Sequence, residues 1–288
     1  MRATLFLLFS ATLLHAQTPA IEQMIEVRGG TLPIILTVPH GGTLKPENIL
    51  ARRYGVVAMD ANTAELSEMI IQELESLYGG KPHAIFCRLH RSKVDCNREI
   101  KEAAQGDATA EAAWHRFHDG VQKACDSVMK KHGMGLLLDI HGQRHLDPRV
   151  ELGYLVNSDQ LKASDAELNA DAALIAKTSI RELDQRSPQS FAELLRGPQS
   201  LGDLLAARGI RCLPCSTKPY PGFMAAYFSG QYDIAAHGSR DGGTVSAIQV
   251  ECPSIGVRDK PANQQRFAKA LAESLGVYFE THFGRKLK

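Results

Sequence analysis

Apolar runs that end on a polar residue and a glycine set the pattern of this chain. Pro33-Ile-Ile-Leu-Thr-Val38 runs into Pro39-His40-Gly41-Gly42, and Gly135-Leu-Leu-Leu-Asp139-Ile140 runs into His141-Gly142. Neither run has a helical period, so both read as strands buried on both faces, each delivering a histidine at its end. Around them the pattern predicts strands at 25–28, 32–38, 83–89, 151–157, 210–213 and 244–251, the last ending on Glu251. Helices are predicted from Asp60 onward, with Leu66, Met69, Ile70, Leu74 and Leu77 on one face and Gly79-Gly80 as the stop, and over 108–131, 166–183, 191–208 and 262–282. From Lys218 to Gly243 glycine, proline, tyrosine and histidine mix without a period, as in a working loop over a site.

Strands alternating with helices argue for an α/β fold in three layers, a mostly parallel mixed sheet with helices on both faces. In such sheets ligands collect beyond the carboxyl ends of the strands, where His40 and His141 would meet although 101 residues apart.

Composition narrows the picture. The 288 residues are 44% apolar, enough for one large core, and we expect a single domain over 17–288. Arg2, the apolar stretch 5–14 and Leu14-His15-Ala16 read as a signal peptide of residues 1–16, so the chain is expected to be exported, periplasmic or secreted, with no integral membrane span once the leader is cleaved. Lysine plus arginine (33) nearly balance aspartate plus glutamate (32), which leaves no electrostatic footprint for nucleic acid and favours a small-molecule partner. Six cysteines allow up to three disulfides or a set of buried thiols. Cys212-Leu-Pro-Cys215 lacks a second pair to complete a tetrahedral metal set and reads as structural.

Two histidines at strand ends suit zinc, which in catalytic sites takes three protein ligands and leaves one position open. Asp60 is the expected third ligand, with Glu65 and Asp139 in reserve. Asp139 lies two residues before His141 on one strand, hence on the same face, where it can orient the imidazole instead. Tyr220, Tyr227, Tyr232 and His237 of the irregular loop are candidates to line the pocket, Tyr220 as a substrate contact. His90, His118 and His145 read as solvated or packed side chains. Ser127-Val-Met-Lys130 fits Ser-x-x-Lys, but it sits mid-helix without the companion motifs of a serine hydrolase.

Taken together, Val38-Pro-His40-Gly-Gly42, Asp60-Ala-Asn-Thr-Ala-Glu65, His90-Arg91-Ser-Lys-Val-Asp95-Cys-Asn97-Arg98, Asp139-Ile-His141-Gly142 and Gln249-Val-Glu251 resemble, in order, the motifs of N-formylglutamate amidohydrolase-like proteins. That family is related in fold to zinc carboxypeptidases and aspartoacylase. The resemblance implies a zinc hydrolase that cleaves an amide next to a carboxylate in an N-acyl amino acid or short peptide. It makes His40 and His141 metal ligands, Glu251 the carboxylate that activates water, Arg91 the cation facing the oxyanion, and Asn97-Arg98 the pair that holds the substrate carboxylate. Carboxypeptidases and aspartoacylase carry a glutamate three residues after the first histidine, where this chain has Thr43, so the carboxylate ligand must come from elsewhere. The rival class is an exported binding protein that keeps the fold and recognises a carboxylated ligand or cell-wall fragment without cleaving it.

Overall fold

The computed structural model describes residues 19–288; the expected leader lies outside the described residues. Seven strands form one mixed sheet: β1 (Ile25–Arg28), β2 (Ile34–Val38), β3 (His83–Cys87), β4 (Leu136–Gln143), β5 (Val150–Gly153), β6 (Cys212–Leu213) and β7 (Ser246–Pro253). Their order is β1-β3-β2-β4-β7-β5-β6. The central run β3-β2-β4-β7 is parallel. At one edge β1 pairs antiparallel with β3, and β5 turns antiparallel to β7 and carries β6 beside it. Helices Thr63–Tyr78 and Pro261–Phe283 cover one face and Ala108–His132 the other. The expected three-layer α/β architecture is the one observed.

Alternation along the central strands explains where the chemistry sits. On the first face Leu36, Val38, Leu138, Ile140, Ile248 and Val250 are fully buried against the two helices. On the opposite face each strand begins apolar, with Ile35, Leu137 and Ala247 in the core under Ala108–His132. Two residues further on the same face turns polar, at Thr37, Asp139 and Gln249, and two further still it presents His141 and Glu251, which are register partners. One face of the sheet thus changes from apolar core to a cluster of polar side chains about halfway along its strands.

The middle third departs from the expected pattern. The helix expected over 166–183 is three short ones, Asp165–Ala170, Ala172–Lys177 and Arg181–Arg186, because Asp171 caps the second by accepting from the Leu174 amide. The helix expected over 191–208 divides into Phe191–Arg196 and Leu201–Ala206, interrupted at Gly197-Pro198, since a proline disfavours the helical conformation in the residue before it. The strand expected over 151–157 ends at Gly153, where the backbone of Ser229 and Gly230 crosses so closely that a Cβ would meet the Gly230 nitrogen at 2.5 Å. The loop expected over 218–243 contains the helix Tyr232–His237. All six cysteines are buried and unpaired. No helix among the described residues is long and apolar enough to cross a membrane.

Candidate metal centre

Two close packings and a left-handed turn bring the site together. In the turn after β2, a Cβ on Gly41 would lie 2.8 Å from Thr63 Oγ1, and one on Gly42 would lie 2.3 Å from the Arg88 carbonyl carbon. Only glycine lets this turn wedge between the following helix and the exit of β3. The helix itself starts at Thr63 rather than at Asp60, because Asn62 takes a left-handed conformation (φ 66°) that asparagine tolerates better than most residues. Asp60 therefore stands in a turn before the helix, its carbonyl accepting from the Thr63 hydroxyl at 2.7 Å and its amide donating to the His40 carbonyl at 3.0 Å.

His40 Nδ1 and His141 Nδ1 lie 3.2 Å apart, and Asp60 Oδ2 is 3.3 Å from the second and 3.4 Å from the first. Zinc–nitrogen and zinc–oxygen bonds of about 2.0–2.2 Å give a tetrahedron with edges of roughly 3.3–3.6 Å. The triangle therefore matches one face of a zinc coordination sphere, with the fourth corner left to the cleft. The far nitrogens are each held by a buried carboxylate: His40 Nε2 is 2.6 Å from Asp95 Oδ1, and His141 Nε2 is 2.7 Å from Asp139 Oδ2. A carboxylate can only accept, so each Nε2 carries a hydrogen, and each ring in its neutral, metal-binding form would turn its Nδ1 lone pair inward. Two lone pairs and a carboxylate oxygen, all buried, need a positive charge between them.

Without a metal, the surrounding carboxylates favour a proton on His141. Burial opposes it, but Asp139 and then Asp60 outweigh burial and raise the His141 imidazole well above its ordinary range. Asp60 is held well below the usual carboxylate range: burial pushes it up, and hydrogen bonds from His141 and His40 overcome that. Asp95 is also held low, burial being outweighed by His40, Arg91 and Arg52.

Glu251 faces the same point from β7. It is 5% exposed, accepts from Gln249 Nε2 at 2.9 Å, and burial pushes its carboxyl up to about 8, the His141 charge opposing and Asp60 assisting. Arg91 is fixed through Nε to Asp95 Oδ2 at 2.9 Å and brings Nη1 to 3.7 Å from Asp60 Oδ1. Arg98 donates to the Asn97 carbonyl and to Gln231 Oε1, and pairs with Glu102 at 3.4 Å. A cleft of about 640 Å³ opens above this group, lined by His40, Asp60, Arg91, Asn97, Arg98, His141 and Glu251.

Tyr220 is not brought there. It is 43% exposed and lines a separate groove with Lys162, Arg196 and Ser216, because the 218–222 turn follows β6 at the far edge of the sheet. Tyr227 donates to the Leu152 carbonyl, and Tyr232 and His237 pack on Trp114 and His118, so none of these three lines the cleft; Phe228 and Gln231 do. Asn97 lines the cleft, but its side chain is engaged by neighbours: its Oδ1 accepts from the Asp233 amide and its Nδ2 lies 3.1 Å from His141 Nε2. Glu65 points to solvent, and Asp139 is occupied by His141 and Thr37. His118 is packed as expected, whereas His90 and His145 line the cleft.

Sequence reading overlooked Asp95, Gln249, Arg144 and Arg258. Asp95 lies inside a quoted motif, yet only the fold shows that it faces His40. Arg144 stands exposed at the cleft mouth, three residues past His141, without an ion pair among the described residues.

No protein-family model matches this chain, and no curated protein sequence matches it. Its fold is similar to that of the N-formylglutamate amidohydrolase from Ralstonia eutropha JMP134, with a TM-score of 0.53 over 91% of this chain and 100% of that one at 15% identity. It is also similar to gene product Atu2144 from Agrobacterium tumefaciens, with a TM-score of 0.51 over 90% and 96% of the two chains at 11% identity. At these identities the likeness is one of fold.

Proposed function

We propose that this chain is a zinc-dependent amidohydrolase that cleaves the amide of an N-acyl amino acid or short peptide bearing a free carboxylate. The observation that carries the reading is the triangle of His40, His141 and Asp60 at zinc-coordination spacing, with Glu251, which makes no ion pair among the described residues, beside it in the same cleft. Zinc held there would supply a Lewis acid for the scissile carbonyl and acidify a water. Glu251 would take the proton of the attacking water and pass it to the leaving nitrogen. Arg91, anchored by Asp95, would face the oxyanion as the carbonyl becomes tetrahedral. Arg98 and Arg144 would receive the substrate carboxylate, Arg98 from within the cleft and Arg144 from its rim. The leader read at residues 1–16 makes an extracytoplasmic pool the place to look for the substrate.

The test is metal analysis followed by a screen of N-formyl and N-acetyl amino acids and short peptides. One zinc per chain is expected, with hydrolysis lost on complete chelation and restored by zinc. Loading the metal-free protein should release protons, since His141 must deprotonate to ligate. Turnover that survives complete metal removal would point to serine chemistry, and binding without cleavage to the binding-protein class.

Arg144→Ala is expected to raise KM roughly two- to fivefold with kcat nearly unchanged, since an exposed ion pair contributes at most about 1 kcal/mol. Steady-state kinetics on the best substrate of the screen would check this, and an unchanged KM would remove Arg144 from recognition.

A further inference from the structure

Arg258 lies beyond β7, is 3% exposed, and has no carboxylate within ion-pair distance among the described residues. Its guanidinium is instead spent on three backbone carbonyls. Nε donates to Cys252 O at 2.9 Å, Nη2 to Gln143 O at 3.2 Å, and Nη1 to Ala61 O. These acceptors belong to three separate segments. Each is one or two residues from a working side chain: Ala61 follows Asp60, Gln143 is two past His141, and Cys252 follows Glu251.

The contact is specifically accommodated. A Cβ on Gly142 would lie 2.4 Å from Arg258 Cζ and 2.7 Å from Nε, so the guanidinium lies flat on a residue with no side chain, next to His141. The Arg258 carbonyl is fixed in turn by Asn62 Nδ2 at 2.8 Å and Gln264 Nε2 at 3.0 Å. A planar fork with five donors can join three carbonyls at fixed angles, whereas an ammonium offers a single point.

We infer that Arg258 is a positioning residue that sets the spacing of Asp60, His141 and Glu251, and that Gly142 is the notch that admits it. The inference rests on the reading of the triangle as a zinc site. Strand pairing sets His141 opposite Glu251, but Asp60 stands in a turn outside the sheet and is otherwise held to it by its amide on the His40 carbonyl and by the Gly142 amide on its Oδ2 at 3.0 Å. Loss of an outer partner of this kind typically weakens metal binding 10–100-fold.

The experiment titrates zinc into metal-free wild type, Arg258→Lys, Arg258→Ala and Gly142→Ala in competition with a chromogenic chelator, with melting temperatures measured on the same metal-free samples. Wild type that fails to bind zinc would refute the metal reading itself; the inference concerns the ratio between variant and wild type. A zinc Kd raised 10–100-fold in Gly142→Ala and Arg258→Lys is expected, with tens of millimolar guanidinium, but not sodium, recovering part of the affinity of Arg258→Ala. A general packing defect would lower the melting temperature without that recovery. Should Arg258→Ala fail to fold, Gly142→Ala decides, because it keeps the arginine and adds one methyl group. Folded variants that bind zinc within twofold of wild type would overturn the inference.

Discussion

Glu251→Gln is expected to lower kcat by roughly 10²–10⁴-fold, the usual contribution of a positioned general acid–base, while leaving one zinc per chain. The substitution keeps the shape and the contact with Gln249, so it removes a proton acceptor and little else. The site raises the Glu251 carboxyl from 4.5 to about 8 in the metal-free protein, mainly through burial. A dication beside it would bring that value down and place the group near neutrality, where a base works best. The sign can be checked without any substrate. A carboxyl raised on folding stabilises the fold below its unfolded pKa, and that stability is lost as pH rises through the folded one. Metal-free wild type should therefore lose stability between about pH 4.5 and 8 through this group, and metal-free Glu251→Gln should lose less. Denaturation at several pH values and kcat across pH test the two halves. A glutamine variant with wild-type turnover would exclude Glu251 from the chemistry.

Asp60→Asn is expected to weaken zinc binding by roughly a thousandfold, beyond the 10–100-fold cost of losing an outer partner, and to remove hydrolysis in proportion at limiting zinc. Asp60 Oδ2 stands 3.3 Å and 3.4 Å from the two inward-facing nitrogens, and no other carboxylate completes that triangle among the described residues. Asp139 also meets His141, but through the opposite nitrogen. A zinc titration of Asp60→Asn beside Asp139→Asn separates the two. Full occupancy in the first with loss in the second would transfer the ligand role to Asp139.

These residues also mark how far the sequence could be read. His40, His141 and Glu251 were legible because each ends a run with strand periodicity, so sheet topology alone placed them at one edge. The apolar spacing puts Asp60 at the start of a helix that in fact begins three residues later, since the left-handed turn at Asn62 leaves no apolar signature. Asp95 and Arg258 were illegible in kind. Their partners are a ring nitrogen 55 residues back and three backbone carbonyls, and neither contact has a periodic trace. Tyr220 was misplaced because a long aperiodic loop offers no register, and the chain spends its first turns at the β6 edge before Phe228 and Gln231 reach the cleft. The break at Gly197-Pro198 was present in the residues themselves, and the apolar spacing on either side of it masked the interruption.

The order in which the central strands occur along the chain has a consequence for biogenesis. β2 and β4 leave the ribosome early, but β7, with Glu251 and the arginine behind it, belongs to the last forty or so residues, and domains generally fold as units during synthesis. A nascent polypeptide would hold His40 and His141 long before it could assemble a competent centre. On the proposed reading, hydrolysis would become possible only after the last strand has joined the sheet, although the three metal-facing residues are synthesised much earlier.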